Sequence, residues 1–176
     1  MTIRRPTRRQ ALLIFAVLLA LATPLAALGR PAAHSSAKDD VTQRQADLYL
    51  IDQVEVKFHR ATSTHDLNLM MSLWAPGAVF NIDQKTLTGK AQIRHWFATE
   101  NKAFMPNHHW ESDTPTYKIR VNVTGDKATM YFECHYIDQK TGTVMAVAGV
   151  DHNLQKIGGR WLITNSSGVN ATLSAR

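Results

Sequence analysis

The stretch Lys127-Ala128-Thr129-Met130-Tyr131-Phe132-Glu133-Cys134-His135-Tyr136 decides the fold. Its residues Ala128, Met130, Phe132, Cys134 and Tyr136 recur at every second position, the spacing that lines one face of a β-strand. Upstream, Tyr117, Ile119, Val121 and Val123 alternate in the same way before Thr124-Gly125-Asp126 turns the chain. Downstream, Lys140-Thr141-Gly142 makes a second turn, and Val144 to Ile157 and Arg160 to Val169 flank a Gly158-Gly159 hairpin. Four such runs predict an antiparallel meander.

Before this stretch the period is helical. Leu48, Ile51, Val54, Phe58 and Ala61 form one stripe of a helix over Val41 to Thr62, whose other face holds Asp52, Glu55 and Arg60. Leu67, Met70, Met71 and Trp74 make a second, shorter stripe that Pro76-Gly77 ends. Ile93, Trp96, Phe97 and Phe104 make a third, entered at Gly89 with Gln92 in the capping-box position. A short strand is expected at Ala78 to Ile82. The order predicts an α+β fold: a cone-shaped, curved antiparallel sheet wrapped around three N-terminal helices. Whatever the helices fail to fill becomes a pocket.

The 176 residues have room for one globular domain. The formal charge of +6 reflects Arg4, Arg5, Arg8, Arg9 and Arg30; from Lys38 onward 15 Lys/Arg face 14 Asp/Glu, so no nucleic-acid surface is indicated. One cysteine, Cys134, excludes an intramolecular disulfide and cysteine-rich metal frameworks. On the face of Met130 and Phe132 it is expected to be buried and not a nucleophile. No phosphate loop, nucleophile elbow or dinucleotide fingerprint is present.

Residues 1–37 have the order of a secretory signal and spacer, basic first, then an apolar run from Ala11 to Leu28, then small residues. Thr7-Arg8-Arg9-Gln10-Ala11-Leu12-Leu13 resembles a twin-arginine signal. Cleavage is expected within 29–37, releasing a periplasmic or secreted domain of residues 38–176 with no membrane attachment; an uncleaved anchor is the alternative, against which Pro24 interrupts the run.

Several segments in order resemble a SnoaL-like domain of the nuclear transport factor 2-like superfamily. They are Asp66-Leu67 leading to Leu73-Trp74-Ala75-Pro76-Gly77-Ala78-Val79-Phe80, then Leu87-Thr88-Gly89-Lys90-Ala91-Gln92-Ile93-Arg94 with Phe97, and His108-His109. Gly125-Asp126-Lys127-Ala128 and Gly159-Arg160-Trp161-Leu162-Ile163 complete the set, which spans Gln45 to Val169. The resemblance implies a cone-shaped sheet opening into an apolar cavity and a homodimer through the outer sheet face. The fold hosts isomerases, dehydratases, hydrolases and binding domains, so it does not name an activity.

The resemblance also lends residues. Asp151, in Val150-Asp151-His152, matches the acid that the steroid isomerase branch keeps protonated in its cavity. His109 matches the catalytic histidine of the dehydratase branch. The dehydratase tyrosine and aspartate are replaced by Thr62 and Ser63, and the isomerase base falls at Asn81, with Asp83 able to substitute only on a bulged strand. Trp74, Phe97, Trp110, Phe132 and Tyr136 are candidates to line the cavity, with core packing as the competing reading. His108, His109, His135 and His152 with Glu133 and Asp151 could supply metal ligands, but adjacent strand residues face opposite ways, so no metal site is expected.

Together these expectations describe an exported protein that binds a small hydrophobic molecule, with a cofactor-free isomerase or dehydratase-type step on a cyclic substrate, by proton transfer between His109 and Asp151. The alternative is a non-catalytic periplasmic binding or dimerisation domain.

Overall fold

The computed structural model describes residues 37–105 and 109–172. The predicted signal and spacer, apart from Ala37, which begins the first helix, and His108 lie outside them.

α1 (Ala37–Ser63) leads into α2 (Leu67–Ser72), β1 (Trp74–Ile82), β2 (Lys85–Thr88) and α3 (Gly89–Thr99). β3 (Trp110–Asp113), β4 (Arg120–Thr124), β5 (Lys127–Asp138), β6 (Val144–Ile157) and β7 (Arg160–Thr172) follow. The sheet has seven strands in the order β2-β1-β7-β6-β5-β3, with β4 also on β5. The predicted α+β architecture and the β4 to β7 meander are both present. β1 nevertheless runs parallel to β7, so the sheet is mixed. No described helix is long and apolar enough to cross a membrane.

Some boundaries differ from the periodicity reading. Trp74 starts β1 rather than ending a helix, because α2 is finished by Leu73, and the Pro76-Gly77 pair sits on a register shift between Trp74 and Val79. A proline lacking a ladder donor is accommodated in such an irregularity. Phe104 lies in a separate turn of 3-10 helix, Lys102–Phe104, after α3 has ended. Thr116–Lys118 is also a 3-10 turn, so β4 begins only at Arg120. Gln92 accepts the Thr88 backbone N–H at 2.8 Å, and Gly89 at φ +78° supplies the left-handed entry to α3 that only glycine adopts cheaply.

α1 lies against the concave face with Ile51, Val54, Phe58 and Ala61 buried, each large apolar side chain contributing about 1.5–3 kcal/mol on burial. Its buried face is not purely apolar: Asp47, Glu55, His59 and Thr62 are inside as well. Glu55 was expected outside, but it stands one turn from both Ile51 and His59 and shares their row. Asp47 pins the start of α1 to the far end of the sheet. Its carboxylate accepts from Lys156 Nζ at 2.6 Å, Trp161 Nε1 at 3.0 Å and Gln43 Nε2 at 3.1 Å. Burial alone would raise this carboxyl, but those bonds and the Lys156 charge hold it below the usual range.

Candidate functional site

One inward row crosses the whole sheet: Val121 opposes Met130, Met130 opposes His152, His152 opposes Ser166, Ser166 neighbours Phe80, and Phe80 opposes Leu87. Toward the closed end of the cone, Leu154 and Ile163 fill the interior. Toward the other end the inner side chains shrink. β6 presents Val150, Ala148 and Ala146 in succession, and β7 presents Gly168, where a Cβ would stand 2.3 Å from Ile82 Cδ1. The alanines on the concave side of the curved sheet leave space that the helices do not reach, whereas Ile82 fills the place a side chain would take at Gly168.

The result is a cavity of about 700 Å3, open at one end. Phe58 of α1, Trp96 and Phe97 of α3, and Phe80 and Ile82 of β1 form one wall. Trp110, Cys134, Tyr136, Ala146 and Ala148 form the other. Asp83, Gln84, Glu100 and Lys102 stand at the mouth, where Glu100 is ion-paired with Lys85.

Of the predicted cavity residues, Phe97, Trp110, Tyr136 and Asp83 line it. Asp83 does so from the β1–β2 turn at φ +49°, exposed, and the strand irregularity lies upstream of it. Asn81 points to the opposite side from Phe80 and accepts the Thr86 hydroxyl at 2.9 Å. Trp74 and Phe132 are fully buried core instead, packed on Phe80 at 5.3 Å and on Phe58 at 5.3 Å between ring centroids.

The two expected catalytic groups do not meet. Asp151 is exposed on the outer sheet face opposite Tyr131 and Ser167, because its neighbours Val150 and His152 take the inward positions. His109 is exposed just before β3 begins, and neither residue lines the cavity.

The structure instead buries polar groups that the periodicity reading missed. His59 and Glu55, four residues apart on α1, pair at 3.0 Å between Nε2 and Oε1. Ser112 Oγ lies 2.7 Å from His59 Nδ1. Thr114 Oγ1 contacts His59 Nε2 while donating its hydrogen to the Glu133 carbonyl at 2.7 Å. Thr114 therefore accepts from the imidazole, which places a ring hydrogen on Nε2. Ser112 opposes Tyr136 across the β3–β5 ladder, beside Cys134 on the same face of β5. Burial pushes Cys134 up to about 12, and burial together with the neighbouring Cys134 raises Tyr136 well above the usual phenol. The legible signal was Glu55 and His59 at helical spacing on the Ile51 row.

His152 is the second missed group. Its ring sits among Phe132 at 5.0 Å, Phe58 at 5.7 Å and Trp74 at 6.2 Å. Among the described residues neither of its nitrogens has a hydrogen-bond partner, nor does Ser166 Oγ. Desolvation, then the charge of His59, depresses it to about 3. Among the described residues no group of three or more His, Cys, Asp or Glu is placed to hold a metal ion.

Solved structures share this architecture. Rv3472 of Mycobacterium tuberculosis, described as a protein of unknown function, superposes with TM-score 0.64 at 16% identity, over 79% of this chain and 80% of that one. A Nostoc punctiforme protein described as having a cystatin-like fold gives 0.60 at 16%, over 79% and 96%. A proposed dehydratase of the NTF2-like family from Streptomyces avermitilis gives 0.59 at 14%, over 71% and 96%. At such identities the likeness is one of fold. No curated protein matches the chain. The family model described as a SnoaL-like domain matches residues 43–167, which include every strand but the end of β7 together with the cavity they enclose, and the chain belongs to that family.

Proposed function

We propose that this protein binds a small hydrophobic molecule in the cavity between α1, α3 and the inner face of β5 to β7. The observation that carries the reading is the hollow of about 700 Å3 itself, walled by Phe58, Trp96, Phe97 and Trp110 and floored by alanine and glycine. Its volume is typical of small-molecule sites, and its walls suit an aromatic or polycyclic body. Asp83 and Lys102 at the mouth suit a polar end left near water.

The same reading includes a cofactor-free proton-transfer step of the isomerase or dehydratase kind. The dehydratase proposed for the Streptomyces neighbour supports it, as does the imidazole–carboxyl pair of His59 and Glu55 behind the cavity wall. The outward placement of Asp151 and His109 favours the alternative, a binding domain without catalysis. The composition of residues 1–37 supports export to the periplasm or beyond. The surface carrying Tyr131, Glu133 and His135 is where a second copy would pack.

Titration of the purified protein with 2-naphthol, followed by calorimetry, tests the binding reading. Saturable one-site binding is expected, and Ala148→Phe, which puts a ring into the hollow, should abolish it while the melting temperature is kept. Absence of binding to the unaltered protein, or equal binding to the variant, overturns the reading.

A further inference from the structure

We propose that Ile82 is the residue that selects ligands by size in the hollow, and that Gly168 is its partner: the missing side chain at 168 lets the Ile82 arm lie flat on β7 instead of standing in ligand space. The proposal rests on the ligand-binding reading above and names what discriminates among ligands at that site.

The pair is set by the register. β1 runs parallel to β7 with Phe80 beside Ser166 and Asn81 beside Ser167, so the next step brings Ile82 beside Gly168. Gly168 in turn opposes Val150, and Val150 opposes Phe132. One inward row therefore reads Phe132, Val150, Gly168, Ile82. Ile82 is the last residue of β1; Asp83 and Gln84 turn the chain at φ +49° and +63°, and Lys85 returns opposite Ile82. Ile82 is half-buried and lines the hollow together with Gly168 and Val150.

The backbone does not require glycine at 168, because its φ lies outside the left-handed region. Glycine inside a strand loses more backbone freedom on folding than other residues and packs nothing, so a close approach is what explains it. A Cβ there would stand 2.3 Å from Ile82 Cδ1 and 3.7 Å from Cγ1. The next neighbour, the Asn81 carbonyl oxygen, is at 4.0 Å, an ordinary contact. Ile82 is thus the one side chain that obstructs an alanine at 168. The strand backbone lies beneath its δ-methyl, so a methyl group at 168 lifts the Ile82 arm off β7 and into the space it borders. Residues 82 and 168 share one volume, and what stands at 168 decides whether the Ile82 arm belongs to the wall or to the hollow.

The probes are 2-naphthol and the larger 1-hydroxypyrene, titrated by fluorescence against the purified protein. Ile82→Ala removes three carbon atoms from the wall. It should shift the ratio of the two dissociation constants about tenfold toward hydroxypyrene, the low end of what a methylene decides in an apolar pocket. Gly168→Ala should weaken hydroxypyrene about tenfold, as overpacking does. The discriminating protein is the double variant Gly168→Ala/Ile82→Ala. With the δ-methyl gone, the alanine at 168 has room, so the double variant should bind both probes at least as tightly as the unaltered protein. Two residues acting separately would instead leave the loss from Gly168→Ala in place. Melting temperatures report folding, and should Gly168→Ala fold poorly, the ratio measured on Ile82→Ala still decides. Failure of the unaltered protein to bind either probe overturns the binding reading and this one with it. Binding of 2-naphthol with an unchanged ratio in Ile82→Ala, or a loss in Gly168→Ala that persists in the double variant, overturns the role of Ile82 alone.

Discussion

Replacing His152 with leucine isolates one buried titration. In the native fold this imidazole is depressed from 6.5 to about 3, first by desolvation and then by the charge of His59. Between those two values the unfolded chain binds a proton that the folded chain does not, so stability must rise with pH across that window and level off above 6.5. At pH 4.5, two units below the unfolded value, the resulting loss of stability is about 2–3 kcal/mol; at pH 7 it has almost vanished. His152→Leu cannot take up a proton in either state. Urea unfolding of both proteins at a series of pH values should give a difference that shifts by about 2–3 kcal/mol in favour of the leucine variant from pH 7 to pH 4.5. At pH 7 the variant should be no less stable by more than about 1 kcal/mol, since both ring nitrogens lack partners among the described residues and leucine occupies similar volume. Taking the difference between the two proteins cancels the titration of every carboxylate they share. Parallel stability curves would refute the argument, because they would mean that the ring protonates as readily inside the fold as outside.

Asp47→Ala strips Lys156, Trp161 and Gln43 of their common acceptor and should cost about 2–4 kcal/mol in chemical denaturation, chiefly through the orphaned indole N–H. Because this carboxyl is held below its usual value, its contribution is present above the unfolded pKa and is lost as pH falls through the folded one, so the variant should also flatten the acid limb of the stability curve. Cys134, buried and pushed up to about 12, should resist iodoacetamide at pH 8 in the native protein and react readily once urea has unfolded it; rapid native modification would show that the thiol is not enclosed.

Within a strand the sequence alone decides facing, since the two-residue period follows from backbone geometry. Ala146, Ala148, Val150, His152 and Leu154 read inward on one strand, and all are inward or line the cavity. That pattern by itself puts Asp151 outside, and the family resemblance drew it toward the cavity against the period. The helical stripe of α1 is equally local: Ile51, Val54, Phe58 and Ala61 pack where the spacing puts them, while Leu48, a turn earlier, is only half-buried and outside the core cluster. What no local pattern holds is which polar residue ends up enclosed. Glu55 and His59 read as ordinary positions of an amphipathic helix until β3, paired with β5, and the residue just after it bring Ser112 and Thr114 to meet them. The same holds for the hollow: small side chains on β6 and β7 are visible in the sequence, but only the curvature of the sheet and the reach of α1 and α3 decide that the space beside them stays empty. Burial and contact between distant segments are properties of the closed fold, because they depend on what every other segment leaves unfilled.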